Sequence, residues 1–255
     1  MQKNKLQLSY LLTVLFIASL VSCSKLDADI TSENEVVPAV YQKMYGATNI
    51  TSDGTWIYIK TKNVPDHKSS YYPANSVLFE EFSGTTFGGN RFVKNPNSII
   101  EQTATFKIPR NPMVNSKHAA TPLGPIGVAL NGVAFFNQYA GPNNQALTSE
   151  IASFDKYYGH PQQSGVYHYH VEPLFLTTVK STKSGLMGFL LDGFPAYGPV
   201  EEDGTNVSSS KLDDFHGHFH STLDYPNGIY HYHFTDDAPY LNGNGFYGTP
   251  GTVTL

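Results

Sequence analysis

Gly165-Val-Tyr-His-Tyr-His170 and Gly228-Ile-Tyr-His-Tyr-His233 are two copies of one short aromatic stretch within the same chain. Tyr and branched apolar residues favour extended backbone, and a leading Gly marks the end of a turn. Successive side chains of a strand point to opposite faces. Each copy therefore puts its two histidines on one face and its two tyrosines on the other.

Working outward, the likeness between the copies extends upstream. Gly127-Val-Ala-Leu-Asn-Gly-Val-Ala-Phe-Phe136 lines up with Gly188-Phe-Leu-Leu-Asp-Gly-Phe-Pro-Ala-Tyr197, and Gly159-His160 with Gly217-His218. Three blocks recur in the same order, which is the signature of an internal repeat. The expected architecture is mainly β, a single domain built from two tandem repeats (about 121–175 and 182–238), each ending in a YHYH strand. Packed about a pseudo-twofold axis, the halves are expected to bring the two YHYH strands close together. Further strands are predicted at 55–60, 104–108, 127–130 and 133–136, where branched and aromatic residues are bounded by Gly, Pro, Asn or Asp. Asn131-Gly132 and Asp192-Gly193 read as hairpin turns, and so does the Gly-rich stretch 83–90. Helical spacing is weak; its best candidates are 144–157 and a short turn near 209–214.

Most of the ten histidines lie in or beside the repeat blocks. A His-x-His pair on a strand directs two imidazoles the same way, and nitrogens about 2.0–2.1 Å from one ion make a chelate. His168, His170, His231 and His233 are the candidate metal ligands. Meeting at one site is one arrangement; the other is a separate site in each repeat, with His160 or His218 added. Imidazole suits copper and zinc. His216-Gly-His218-Phe-His220 extends the pattern, and Asp192, Asp213 and Asp214 are candidate supporting carboxylates. His67 and His118, isolated in the sequence, read as surface or loop residues. Two other functions stand beside metal binding: a Tyr/His face for a glycan or peptide, and a structural envelope component. Whether the protein is an enzyme stays open. There is no Gly-x-Ser-x-Gly elbow, phosphate-binding Gly-rich loop or His-Glu-x-x-His helix.

With these residues in view, the chain resembles the YHYH-domain proteins. The likeness runs from Ile108-Pro-Arg-Asn-Pro112 through 121–132 to the second YHYH at 230–233. The resemblance implies an exported bacterial protein and names no reaction. Family members often carry a cysteine near the Gly-His block, whereas Tyr158-Gly159-His160 and His216-Gly217-His218 have none. If that cysteine closes a disulfide elsewhere in the family, packing or metal must hold the same loops here.

The first residues point to the envelope. Lys3 and Lys5 precede an apolar run, 11–20, too short to span a bilayer, in the order of a secretory signal. Leu20-Val-Ser-Cys23 resembles a lipobox, which makes Cys23 the expected lipidation site and residues 1–22 the signal peptide. Residues 23–45 read as a lipid-anchored tether and 46–255 as the YHYH-type β-rich domain. Cys23 is the single cysteine, so no disulfide can form within the chain. Lys3 and Lys5 are two of the 16 basic residues, which leaves 14 against 21 acidic residues after cleavage, a formal charge of −7. That balance excludes nucleic acid as a partner. The expected partner is the membrane, reached through the lipid anchor.

Overall fold

The computed structural model describes residues 36–243 and 245–255. The predicted signal peptide, Cys23 and the first part of the predicted tether lie outside the described residues. Among the described residues, twelve strands form two sheets. Strands β1 (Ala47–Ser52), β2 (Trp56–Thr61), β3 (Ala104–Pro109) and β12 (Thr252–Thr254) make the smaller sheet, all neighbours antiparallel. The larger sheet holds β4 (Pro125–Ala129), β5 (Ala134–Phe136), β6 (Gly159–Pro161), β7 (Tyr167–Tyr169), β8 (Leu186–Leu190), β9 (Pro195–Tyr197), β10 (Gly217–Thr222) and β11 (Tyr225–His233). The mainly β class expected from composition holds, and the four predicted strands are β2, β3, β4 and β5.

The order across the larger sheet is β10-β11-β9-β8-β4-β5-β7-β6. Its centre is the antiparallel pair β4–β8, both strands buried along their whole length. Outward on each side come an antiparallel hairpin partner, a parallel YHYH strand and an antiparallel Gly-His strand. Thus the three recurring sequence blocks occupy the same places in both halves. The YHYH strands, however, are not close. Four strands stand between β7 and β11. At about 4.8 Å per strand the separation along the sheet is on the order of 24 Å. The repeat boundary is the centre of the sheet, so each YHYH block lies one strand in from an edge.

Asn131-Gly132 and Asp192-Gly193 form the expected hairpin turns, with Gly132 and Gly193 at φ 82° and 84°. The stretch 83–90 also turns back on itself, with an antiparallel bridge from Thr85 to Arg91. Gly132 abuts Gly46, whose amide donates to the Leu130 carbonyl at 2.9 Å; a Cβ on Gly46 would lie 2.0 Å from the Asn131 backbone. This contact carries the chain from the N-terminal segment onto the larger sheet. Packing begins earlier than the predicted tether allows: Tyr41 and Met44 are buried, and Tyr41 stacks on Phe189 of β8 at 4.4 Å. Hence 38–45 belongs structurally with the sheet.

No long helix forms at 144–157, where two 3₁₀ turns lie at Leu147–Ser149 and Ile151–Ser153. Leu147, Ile151 and Phe154 have the helical spacing, but they fill a small cluster with Phe87 and Val171 instead. The Ser153 hydroxyl donates to the Glu150 carbonyl at 2.7 Å, a local bond that competes with helix continuation. The short turn near 209–214 is a 3₁₀ turn at Ser209–Lys211.

Two candidate metal centres

Each half of the larger sheet gathers three histidines. In the first, His160 on β6 sits directly opposite His168 on β7, and His170 follows two residues on, from the same face. The Nε2 atoms of His160 and His168 are 3.0 Å apart, and those of His168 and His170 are 2.9 Å apart. Glu150, in the connection between β5 and β6, places Oε2 3.8 Å from His160 Nε2 and 3.7 Å from His170 Nε2. All three histidines are buried, at the floor of a cavity of about 340 Å³.

The second centre repeats this arrangement. His218 on β10 opposes His231 on β11, with Nε2 atoms 3.0 Å apart; His231 and His233 are likewise 3.0 Å apart. Glu201 comes from the equivalent connection, between β9 and β10. Its Oε1 lies 3.3 Å from His218 Nε2 and 3.5 Å from His233 Nε2. His160, His168 and His170, and His218, His231 and His233 with Glu201, are two groups that could hold a metal ion. The sequence left one shared site and two separate sites open; the six candidate ligands fall into two separate groups.

The outer nitrogens show why these rings converge. His168 Nδ1 pairs with the Val166 carbonyl and His231 Nδ1 with the Ile229 carbonyl, at 3.0 and 3.1 Å. His170 Nδ1 and His233 Nδ1 pair with the equivalent carbonyls of Asn137 and Gly198, at 2.5 and 2.7 Å. A carbonyl only accepts, so each of these Nδ1 atoms carries the proton and donates it. The Ser153 hydroxyl spends its own proton on Glu150 and so accepts from His160 Nδ1 at 2.7 Å. In the neutral rings, every Nε2 so fixed is a bare lone pair aimed at another.

Bare lone pairs 2.9–3.0 Å apart repel unless a cation lies between them. A proton is a poor candidate, because burial holds these imidazoles down. His160 and His168 lie well below the ordinary range, and burial lowers His170 and His231 to about 4 and His233 to about 3. Two nitrogens about 2.05 Å from one ion are about 2.9 Å apart when they subtend a right angle. The observed spacing suits adjacent ligands of a single metal ion. Outer hydrogen bonds to carbonyls are also the usual way a ligating imidazole is oriented. Burial raises the Glu150 carboxyl to about 7.

A family model described as YHYH protein matches residues 105–210 and 198–245, which together span more than half of the chain. The chain belongs to the YHYH family. No curated protein and no solved structure matches it. The tetrapeptide of the YHYH domain thus supplies two of the three imidazoles at each centre, and the Gly-His block supplies the third.

The YHYH tyrosines serve the opposite face, where Tyr167, Tyr169, Tyr230 and Tyr232 are all buried. They cannot form the exposed aromatic surface for a glycan or peptide that the sequence left open. Tyr167 donates to Asp155 and Tyr230 to Asp213, both at 2.9 Å. Each Asp begins a turn whose backbone amide bonds the Gly carbonyl of the Gly-His block, Gly159 or Gly217. The turn passes through a positive φ at Tyr158 (68°) or His216 (70°). Gly is required next: a Cβ on Gly159 would sit 2.5 Å from the Tyr167 ring, and one on Gly217 2.4 Å from the Tyr230 hydroxyl. The YHYH tyrosine and the Asp turn therefore position His160 and His218, and hold the loops that carry them.

Asp192 and Asp213 support tyrosines, not the histidine face. Tyr232 donates to buried Asp192 at 2.6 Å, and burial raises that carboxyl to about 6. Asp214 is exposed and belongs to neither group that could hold a metal ion. His216 leaves the strand and pairs with Thr235 at 2.9 Å. His67, expected at the surface, is buried: its Nε2 pairs with the Tyr169 hydroxyl at 3.2 Å, and Tyr157, Tyr167 and Phe175 surround it. His118 is exposed, as expected.

Sequence reasoning missed three acidic residues. Asp155-Lys-Tyr-Tyr-Gly-His160 and Asp213-Asp-Phe-His-Gly-His218 share an Asp four residues before the Gly, so Asp155 had a legible signal. Glu150 and Glu201 had none, since they lie 10 and 17 residues before the Gly-His histidine in loops of unequal length.

Proposed function

We propose that this is an exported, lipid-anchored envelope protein whose YHYH domain binds two transition-metal ions, one in each half. His160, His168 and His170 with Glu150 hold the first; His218, His231 and His233 with Glu201 hold the second. The observation that carries the reading is the convergence of Nε2 lone pairs at 2.9–3.0 Å in five rings, those of His160, His168, His170, His231 and His233, whose Nδ1 protons are committed elsewhere. Copper and zinc are the ions of choice, since the donors are imidazole and carboxylate with no thiolate. The basic head, the apolar run and Leu20-Val-Ser-Cys23 support export and anchoring. The proposed tether is the lipid on Cys23; among the described residues no helix is long and apolar enough to cross a membrane.

Metal analysis of untagged protein tests the reading. Two equivalents of copper or zinc per chain are expected after reconstitution and desalting. Protein that retains none of copper, zinc or iron under those conditions refutes it.

A further inference from the structure

The two centres differ in their route to solvent. At the first, the imidazoles are closed off, His160 and His170 at 5% and 2% exposed, and only the carboxylate Glu150, at 33%, reaches solvent. At the second, exposure rises along a line of imidazoles, from His233 at 2% through His218 at 30% to His220 at 59%. His218 and His220 are two residues apart on β10 and so face the same way, with ring centroids 5.8 Å apart. Glu201 spans the two stations. Its Oε1 faces His218 and His233, and its Oε2 lies 3.9 Å from His220 Nδ1. An ion with both donors at about 2.0–2.2 Å bridges such a gap.

The surroundings favour cations. A cavity of about 410 Å³ opens over this line and is walled by Glu201, Glu202, Asp203, Lys211, His218 and His220. Three carboxylates against one ammonium make its mouth negative, and a cleft of one sign concentrates counter-ions. In the first half, the residue two after the Gly-His histidine is Gln162 rather than a histidine. The first centre therefore lacks the outer station.

We propose that His220 Nδ1 and Glu201 Oε2 form an outer capture site for a divalent cation and pass it inward to the second centre, which is the exchangeable one. The proposal rests on metal binding at that centre. The ion first takes His220 Nδ1 and Glu201 Oε2 in place of water. The carboxylate then shifts to Oε1 as His218, His231 and His233 Nε2 bind, and the bond to His220 breaks. No electron moves, and the ion keeps its charge. The first centre, without this step, exchanges slowly.

Full-length protein loaded with two equivalents of Zn²⁺ and mixed with an excess of a chromogenic zinc chelator tests this. Release is expected in two phases of one equivalent each, the fast one from the second centre. His220→Gln should slow the fast phase by about tenfold or more, the low end of what a steering cleft contributes. It should leave the slow phase and the final stoichiometry unchanged. His118→Gln, an exposed histidine elsewhere, should change neither phase. A fast phase unmoved by His220→Gln, equal slowing by His118→Gln, or a single phase from both centres would overturn the relay. Wild-type protein that takes up no Zn²⁺ would instead overturn the metal reading beneath it.

Discussion

Stripping the metal should cost the domain about 4 kcal/mol per centre, and the figure comes from His170. Without a cation, its Nε2 lone pair faces that of His168 at 2.9 Å, while its Nδ1 proton is held by the Asn137 carbonyl. The alternative to facing lone pairs is to protonate one ring. For an imidazole lowered to about 4 by burial, protonation at pH 7 costs about 4 kcal/mol at 1.36 kcal/mol per pH unit. A bound ion removes that penalty, and ligand-linked stabilisation of this size corresponds to an ion concentration about 1,000-fold above Kd. In a domain of this size, 1 kcal/mol shifts Tm by about 2–4 °C. Chelator-treated protein should then melt roughly 8–16 °C below metal-loaded protein for each centre emptied. Calorimetry at pH 7.5, with and without chelator, measures the difference. A double His168→Ala, His231→Ala variant should melt at the same temperature in both buffers. If wild-type protein shown to have been exposed to copper and zinc melts identically with and without chelator, the lone-pair argument is wrong.

Other expectations follow from the same geometry. Because the centres are on the order of 24 Å apart along the sheet, His168→Ala or His231→Ala should each remove one equivalent of metal by elemental analysis and leave the other bound; loss of both ions from one substitution would show a shared site. Tyr167→Phe takes one of two hydroxyl donors from buried Asp155, whose other is Ser69; it should destabilise by about 2 kcal/mol in urea titration, as loss of a hydrogen bond to a charged group does, with little change in metal affinity. For the metal-free domain, His170, His231 and His233 have folded pKa values lowered to about 4, 4 and 3. Their contribution is present above the unfolded value near 6.5 and is lost as pH falls toward 4, so a flat Tm profile over that window would contradict the burial argument. Cys23→Ser should abolish incorporation of labelled palmitate, and persistent labelling would remove the lipobox reading.

Local periodicity was legible in the sequence; distance was not. Alternation placed His168 with His170 and His231 with His233, and the recurring blocks marked the strands that flank them. The Asn-Gly and Asp-Gly turns were readable because φ near 82–84° favours Gly. What failed was the step from repeat to proximity. The antiparallel pair β4–β8 joins the two halves by their first strands and sends the YHYH strands outward. Nothing in the residues of β7 or β11 distinguishes that pairing from its reverse. Burial of His67 was equally hidden, because a long loop brings it under Tyr169 from 102 residues away.

The two-sided character of Tyr-His-Tyr-His explains how four residues orient two of the three imidazoles of each candidate centre. A chelating pair on a strand edge would be free to rotate if its other face were solvated. Here that face is locked. Tyr167 and Tyr169 are fully buried, and their hydroxyls are tied to Asp155 and to Asn131 and His67. In the other half, Tyr230 and Tyr232 are tied to Asp213 and Asp192. The same Asp that receives the first tyrosine begins the turn that delivers the third histidine. Tyrosine burial and histidine placement are therefore one mechanical unit, with the carboxylate as hinge. A metal bound on the histidine face would meet a strand already fixed from behind, so pre-organisation would leave little ordering entropy for binding to overcome.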